Sequence, residues 1–249
     1  MSLFKKKQGD NIATDNCFPE YHKCPVCGEL VKTKPNVIQN YKEKYLDGQR
    51  KIPFDVLIGC YHLCENCGYV YISTDYNQIK TVYDSIKNIV FSDKYQSIRN
   101  DSAISMSLKK LMLLEEISHE NTIYACEINQ LWLDYYLEQN DEEKVQEYLL
   151  KRIEEIPRGM SFANKLLAGE ISKEFYDYLK LDINKHDKIH LNKNAILTDL
   201  YRRSGQFDKA NECIDFAFLN YNFNSGKSIL KHYYEFQKKL IERHDKRHI

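Results

Sequence analysis

No run of about 18 apolar residues, the length a helix needs to cross a bilayer, occurs in this 249-residue chain, so no membrane partner is expected. Neither sign of charge prevails. Lys plus Arg and Asp plus Glu each number 36, the formal net charge is zero and the pI is about 7.1. The overall positive field that favours binding along a phosphate backbone is therefore missing. Signatures of catalysis are also absent: there is no phosphate-cradling Gly-rich loop and no nucleophile elbow, and His119-Glu120 is not followed by a second histidine at the metalloprotease spacing. An enzyme is not expected. The opening Met1-Ser2-Leu3-Phe4-Lys5-Lys6-Lys7 continues into Gln8-Gly9-Asp10 with no apolar stretch of a secretory signal. The expectation is a cytoplasmic protein whose thiols are reduced.

What the chain does have is eight cysteines, four of them patterned. Cys24-Pro25-Val26-Cys27-Gly28 and Cys64-Glu65-Asn66-Cys67-Gly68 repeat one motif, with 36 residues between Cys27 and Cys64. Two residues between cysteines put both sulfurs on one side of a tight turn. Two such turns facing each other supply four thiolates for a tetrahedral metal. The following glycine permits a left-handed backbone that brings amide hydrogens toward the sulfurs. Cys24, Cys27, Cys64 and Cys67 are thus the candidate ligands of one structural zinc ion, iron being the alternative for four sulfurs. A redox role would need metal-free thiols, which the duplicated pattern argues against. His22, His62 and Cys60 lie close by in sequence and read as packing or supporting groups. Cys17, Cys126 and Cys213 have no paired spacing and read as ordinary thiols.

Around the cysteines, residues 1–20 read as a flexible arm, 21–76 as the metal module and 77–249 as a helical domain. Val56 to Leu63 reads as a strand entering the second cysteine pair and Tyr69 to Ile72 as the strand leaving it. The outline is a zinc ribbon or a treble clef, with the polar stretch Asn40 to Arg50 as an exposed insertion. From about Asn77, apolar residues recur at three and four: Ile79, Val82, Tyr83, Ile86, Ile89 and Val90. Ser102 is placed as the cap of a helix carrying Met106, Leu108, Leu111, Met112, Leu114 and Ile117.

Two later stretches each read as a pair of antiparallel helices. In the first, Trp132 and Tyr136 precede Asn140 and are followed by Val145 and Leu149. In the second, Leu197 and Tyr201 precede Gly205 and are followed by Phe207, Ala210 and Ala217. Each pair would expose an apolar stripe unless another stacked on it, the tetratricopeptide manner of building. Asn140 in place of a turn glycine, and Arg152 where a small residue is expected, depart from a regular repeat. Pro157-Arg158-Gly159 breaks the helical run, short helices are placed at Ala163 to Leu167 and Ile171 to Leu179, and Lys185 to His190 reads as a loop. Ser225 is placed as the cap of a last helix whose outward residues include Lys231, Lys238, Lys239, Arg243, Lys246 and Arg247.

The expected fold is therefore a small mixed α/β zinc-ribbon or treble-clef-like module followed by a mainly α-helical tetratricopeptide-like domain. With Cys24-Pro25-x-Cys27-Gly28, the Cys64-x-x-Cys67-Gly68-Tyr69 knuckle, Trp132 and Leu200-Tyr201-Arg202-Arg203-Ser204-Gly205, the chain resembles a bacterial family, domain of unknown function 2225. That resemblance implies architecture and a bacterial origin and carries no activity. The residues themselves favour a non-enzymatic binding or scaffolding protein whose partner is a protein or peptide, with Tyr135, Tyr178 or Tyr233 lining a concave helical surface. A groove plugged by the chain's own segment 181–193 would count against that surface. The alternative is nucleic-acid binding by the metal module through Lys23, Lys32, Lys34, Tyr41, Lys42, Lys44 and Tyr45, a surface interrupted by Glu20, Glu29, Glu43 and Asp47.

Overall fold

A computed structural model describes residues 20–33, 43, 45–46, 51–72, 84–118, 128–155, 168–170, 172–180, 188–223 and 228–249. The expectations for residues 1–19, for Asn77 to Tyr83, for Cys17 and Cys126, for 156–167 and for Ser225 lie outside these residues. So do those for Lys34, Tyr41, Lys42, Lys44 and segment 181–187.

The architecture is a small mixed α/β module containing a four-cysteine cluster, followed by a mainly helical, multi-helix domain. In the module, β1 (Glu20–Lys23) and β2 (Leu30–Thr33) form one antiparallel hairpin, with Lys23 opposite Leu30. Strands β3 (Tyr61–Leu63) and β4 (Val70–Ile72) form a second hairpin, with Leu63 opposite Val70. Each cysteine pair occupies the turn of its hairpin.

The run expected as a single strand from Val56 is instead helix α1 (Phe54–Gly59), and only its last three residues are extended. Periodicity cannot separate a short apolar run in a helix from one in a strand. Tertiary packing decides it here: Phe54 and Ile58, one turn apart, are buried where α1 meets the helices that follow. Pro53, with no amide hydrogen to lose, precedes the first turn. The 40–50 insertion is also more than an exposed loop, since Leu46 is buried and its amide donates to the Ile249 carbonyl at 2.5 Å.

Helices α2 (Asp84–Val90), α3 (Asp93–Asn100) and α4 (Met106–Ser118) lead into the stack. Helix α3 is an element the sequence reading passed over; Ser92 caps it by accepting from the Tyr95 amide. Ser105 rather than Ser102 caps α4, accepting from the Leu108 amide, and Met106 lies exposed at its start instead of in the core. Leu111, Leu113, Leu114 and Ile117 make α4 the central buried helix.

The two expected helical pairs are α5 (Ile128–Gln139) with α6 (Glu142–Glu155), and α8 (Lys193–Arg203) with α9 (Phe207–Asn220). Their turns are equivalent. Asn140 takes φ 55° and Gly205 φ 76°, while Asp141 donates to the Tyr136 carbonyl and Gln206 to that of Tyr201. Both are six-to-one closures around a left-handed residue, so asparagine fills the glycine's place. Between the pairs lie β5 (Ala168–Glu170), α7 (Lys173–Leu179) and β6 (Lys188–His190). The β5–β6 ladder, Ala168 opposite His190, corrects the loop reading for Lys188 to His190. The last helix, α10 (Ile229–Glu242), is capped by Ser228 and closes against α8 and α9.

One hydrophobic core runs from Cys24 and Cys64 through α4 and Trp132 to Tyr233 and Ile241. At its far end Arg202 is fully buried. Its guanidinium donates to Asp199 Oδ1 at 2.7 Å, Gln237 Oε1 at 2.8 Å and the carbonyls of Asp245 and Arg247 at 2.5 and 3.0 Å. Those bonds fold the segment after α10 back across the helices. There His248 stacks on Tyr45 with centroids 3.5 Å apart, joining the C-terminal segment to the cysteine module.

Candidate metal centre

Both knuckles are built by the same local bonds. Gly28 donates to the Cys24 carbonyl and Gly68 to that of Cys64, each at 2.8 Å. Cys24 donates to the Glu29 carbonyl at 2.7 Å and Cys64 to that of Tyr69 at 2.9 Å. Gly28 at φ 80° and Gly68 at φ 84° take the left-handed conformation that closes each turn. Amides then point at sulfur: those of Val26 and Cys27 at the Cys24 thiol, those of Asn66 and Cys67 at the Cys64 thiol.

The structure brings Cys24, Cys27, Cys64 and Cys67 together, with all four sulfurs within 4.8 Å of one another. Cys24 Sγ lies 3.6 Å from Cys67 Sγ, and Cys27 Sγ lies 3.6 Å from Cys64 Sγ. A tetrahedral ion with metal–sulfur bonds of about 2.3 Å would set sulfurs about 3.8 Å apart. Disulfide bonds, at about 2.05 Å, are ruled out by the same distances. The cluster is thus capable of holding a metal ion.

The four thiols perturb one another. A hydrogen bond from the Cys67 thiol, helped by the amides of Cys27 and Val26, lowers Cys24 to about 5 against the opposing effect of burial. Cys67 is pushed far up because its proton is held against Cys24, with burial adding to the shift. Burial raises Cys64 to about 11, and the negative Cys24 beside it contributes. Four sulfurs this close cannot all ionise against one another unless a cation sits among them.

The neighbouring groups do not join the cluster. Cys60 is buried and its thiol donates to the Val56 carbonyl at 3.5 Å. His62, on β3, lies beside Tyr71 with ring centroids 5.8 Å apart. Burial and then Lys110 lower it to about 4, so the imidazole is neutral. Cys213, on α9, is raised by burial and stands far from the site in the chain's second helical pair.

Three residues that sequence reading missed hold the second knuckle from outside. Tyr95 Oη donates to the Gly68 carbonyl at 2.9 Å, Gln96 Nε2 to that of Cys67 at 3.0 Å and Arg99 Nη2 to that of Glu65 at 2.5 Å. All three project from α3. The only local signal was Ser92-Asp93, a helix start ahead of Tyr95 and Ile98.

No family model, no curated protein and no solved structure matches the chain.

Two acidic side chains beside the Asn140 turn serve as helix caps. Asp141 Oδ1 accepts from the Lys144 amide at 3.1 Å, and Glu138 accepts from the Phe54 amide at the start of α1. Of the tyrosines expected to line a groove, Tyr233 is fully buried and Tyr135 and Tyr178 are half-buried in aromatic clusters. Among the described residues, no helix is long and apolar enough to cross a membrane.

Proposed function

We propose that this chain is a non-enzymatic binding or scaffolding protein, in which Cys24, Cys27, Cys64 and Cys67 hold one structural zinc ion and the helical stack offers the surface for a protein or peptide partner. The four-sulfur cluster supports the first half. Four protein thiolates fill a tetrahedral zinc shell and leave no position at which a substrate would bind. The residue types also suit zinc over harder cations, with iron the competing metal.

The second half rests on a surface observation. At the end of α9, Phe216, Phe218 and Leu219 are exposed by 53%, 39% and 87%, three large apolar side chains within little more than one helical turn. Phe216 and Leu219, three positions apart, share one side of the helix, and exposed apolar surface there supports a contact role. We place the interaction here rather than on a concave face because Tyr233, expected to line that face, is fully buried. The organisation remains similar to domain of unknown function 2225, a kinship we put forward on the motifs alone.

A photo-crosslinking residue at Leu219, with a second at exposed Lys238 as control, tests the surface in cells of the source organism. The reading expects a protein adduct from position 219 that Phe216→Lys abolishes. Equal adducts from both positions would reject it.

One observation favours the nucleic-acid alternative. The register of the first hairpin puts Tyr21, Lys23, Leu30 and Lys32 on one exposed face, pairing cations with an aromatic ring. Tyr45, expected on the same surface, is instead stacked against His248. Salt-dependent retention of single-stranded nucleic acid, lost in Tyr21→Ala, would move the function to this face.

A further inference from the structure

The two knuckles have the same backbone and opposite surroundings. A methyl group added at Gly28 would meet nothing within 4 Å, whereas one at Gly68 would lie 2.5 Å from Arg99 Cδ. Gly28, Glu29 and Leu30 are exposed, and Leu30 is 66% so; their counterparts Gly68, Tyr69 and Val70 are buried. The second knuckle's outward carbonyls, on Glu65, Cys67 and Gly68, are all taken by side chains of α3. Arg99 is itself steadied by donating to Gln96 Oε1 at 2.9 Å, and Gln96 also reaches the Val90 carbonyl at the end of α2. Tyr95 is fully buried, and α3 packs on α4, the core of the stack. The first knuckle touches the core through Cys24, Val26 and Cys27, and its outward side is not packed at Gly28, where an added Cβ meets nothing within 4 Å. Instead a cleft lined by Tyr21, Leu30 and Val31 on one side and Leu63, Glu65 and Asn66 on the other separates its hairpin from the second knuckle.

We propose that the metal centre is assembled from one half. Tyr95, Gln96 and Arg99 are positioning residues that hold Cys64 and Cys67 in ligating shape before an ion arrives. The hairpin bearing Cys24 and Cys27 then closes onto that half when the ion binds. The inference rests on the four cysteines being a metal site and adds an order of events to it. Physically, a knuckle whose carbonyls are bonded to a buried helix has already met its ordering cost, while the exposed hairpin meets that cost only when metal–sulfur bonds form.

The test is amide hydrogen exchange on the full chain, reduced and freed of metal by chelator, then with zinc added. The amides of Cys64 and Gly68 should be protected without metal, and those of Cys24 and Gly28 only with it. Tyr95→Phe, which keeps the ring and loses one hydroxyl, should expose the second knuckle in the metal-free protein. It should also weaken zinc binding by about tenfold in a chelator competition. Ile98→Ala, on the same helix without a bond to the knuckle, should lower stability and leave zinc affinity unchanged. Zinc bound with all four amides gaining protection together, or Tyr95→Phe matching Ile98→Ala in affinity, would overturn the loading order while leaving the metal site intact. No zinc bound at all would overturn the site and the order with it.

Discussion

Replacing each knuckle glycine by alanine separates the cost of backbone conformation from the cost of what lies outside. Gly28 and Gly68 differ by only 4° in φ, so Gly28→Ala and Gly68→Ala carry nearly the same left-handed penalty, about 1–2 kcal/mol. Gly28→Ala has no further cost, because its new methyl group enters open space. Gly68→Ala drives Cβ to 2.5 Å from Arg99 Cδ and 3.1 Å from its Nε. Arg99 must swing away and give up its bonds to the Glu65 carbonyl and Gln96 Oε1, worth about 0.5–1 kcal/mol each in this partly exposed setting. The expected destabilisation is therefore about 1–2 kcal/mol for Gly28→Ala and about 2–4 kcal/mol for Gly68→Ala. Urea unfolding of the two zinc-loaded variants, followed by circular dichroism, measures the difference. Equal losses, or a larger loss at Gly28, would refute the account of α3 as the brace of the second knuckle.

Three further outcomes follow from the helical part. Asn140→Gly should change stability by less than about 0.5 kcal/mol, and Asn140→Ala should cost about 1 kcal/mol, because the turn needs φ 55° more than it needs the amide; thermal melts of the pair decide. Arg202→Met should cost about 2–4 kcal/mol by leaving two carbonyls unbonded and Asp199 with only Gln237 and the more distant Arg203, at 3.8 Å, for partners. Adding Asp199→Leu should recover part of that loss, and a double variant no more stable than Arg202→Met alone would contradict it. Asp245 is held below the usual carboxylate range, first by its hydrogen bond with Arg247. A depressed folded value means its contribution is present above about pH 4 and fades as pH falls through the lowered value. With Arg247 70% exposed, Asp245→Asn should cost under about 1 kcal/mol at pH 6, and the difference should shrink as pH falls below about 4. A difference that persists in acid would show that the charge is not its source.

The parts of this molecule that could be read in the sequence are those whose signal is local. Cys-x-x-Cys-Gly fixes a turn within five residues, and its repetition announced the cluster before any geometry. The helical pairs were legible because apolar residues recur at three and four around Trp132 and Leu200. What failed depended on distant chain. Whether Val56 to Leu63 became strand or helix was decided by α4 and α5, which bury Phe54 and Ile58. Ser105 and Ser228 took the caps assigned to Ser102 and Ser225, since several serines stand near each helix start and packing selects among them. The three residues of β6 carry no pattern of their own and pair with a strand 20 residues away, Lys188 with Glu170 being separated by 18 positions. Tyr95, Gln96 and Arg99 were invisible as supports of the cysteine cluster because their partners lie 27 to 34 residues earlier. Arg202 belonged to a recognised stretch, yet its work, bonding the segment after α10, appears only in three dimensions.

The zinc content and fold of the protein isolated without chelator, beside those of Cys64→Ala, test the central claim most directly. Native mass spectrometry should find one zinc ion on the wild-type chain and none on Cys64→Ala. Circular dichroism should show that chelator treatment of the first reproduces the loss of structure in the second, while Cys213→Ala keeps both metal and fold. A wild-type chain that carries no metal, and that keeps its fold unchanged with chelator or with Cys64→Ala, would contradict the account.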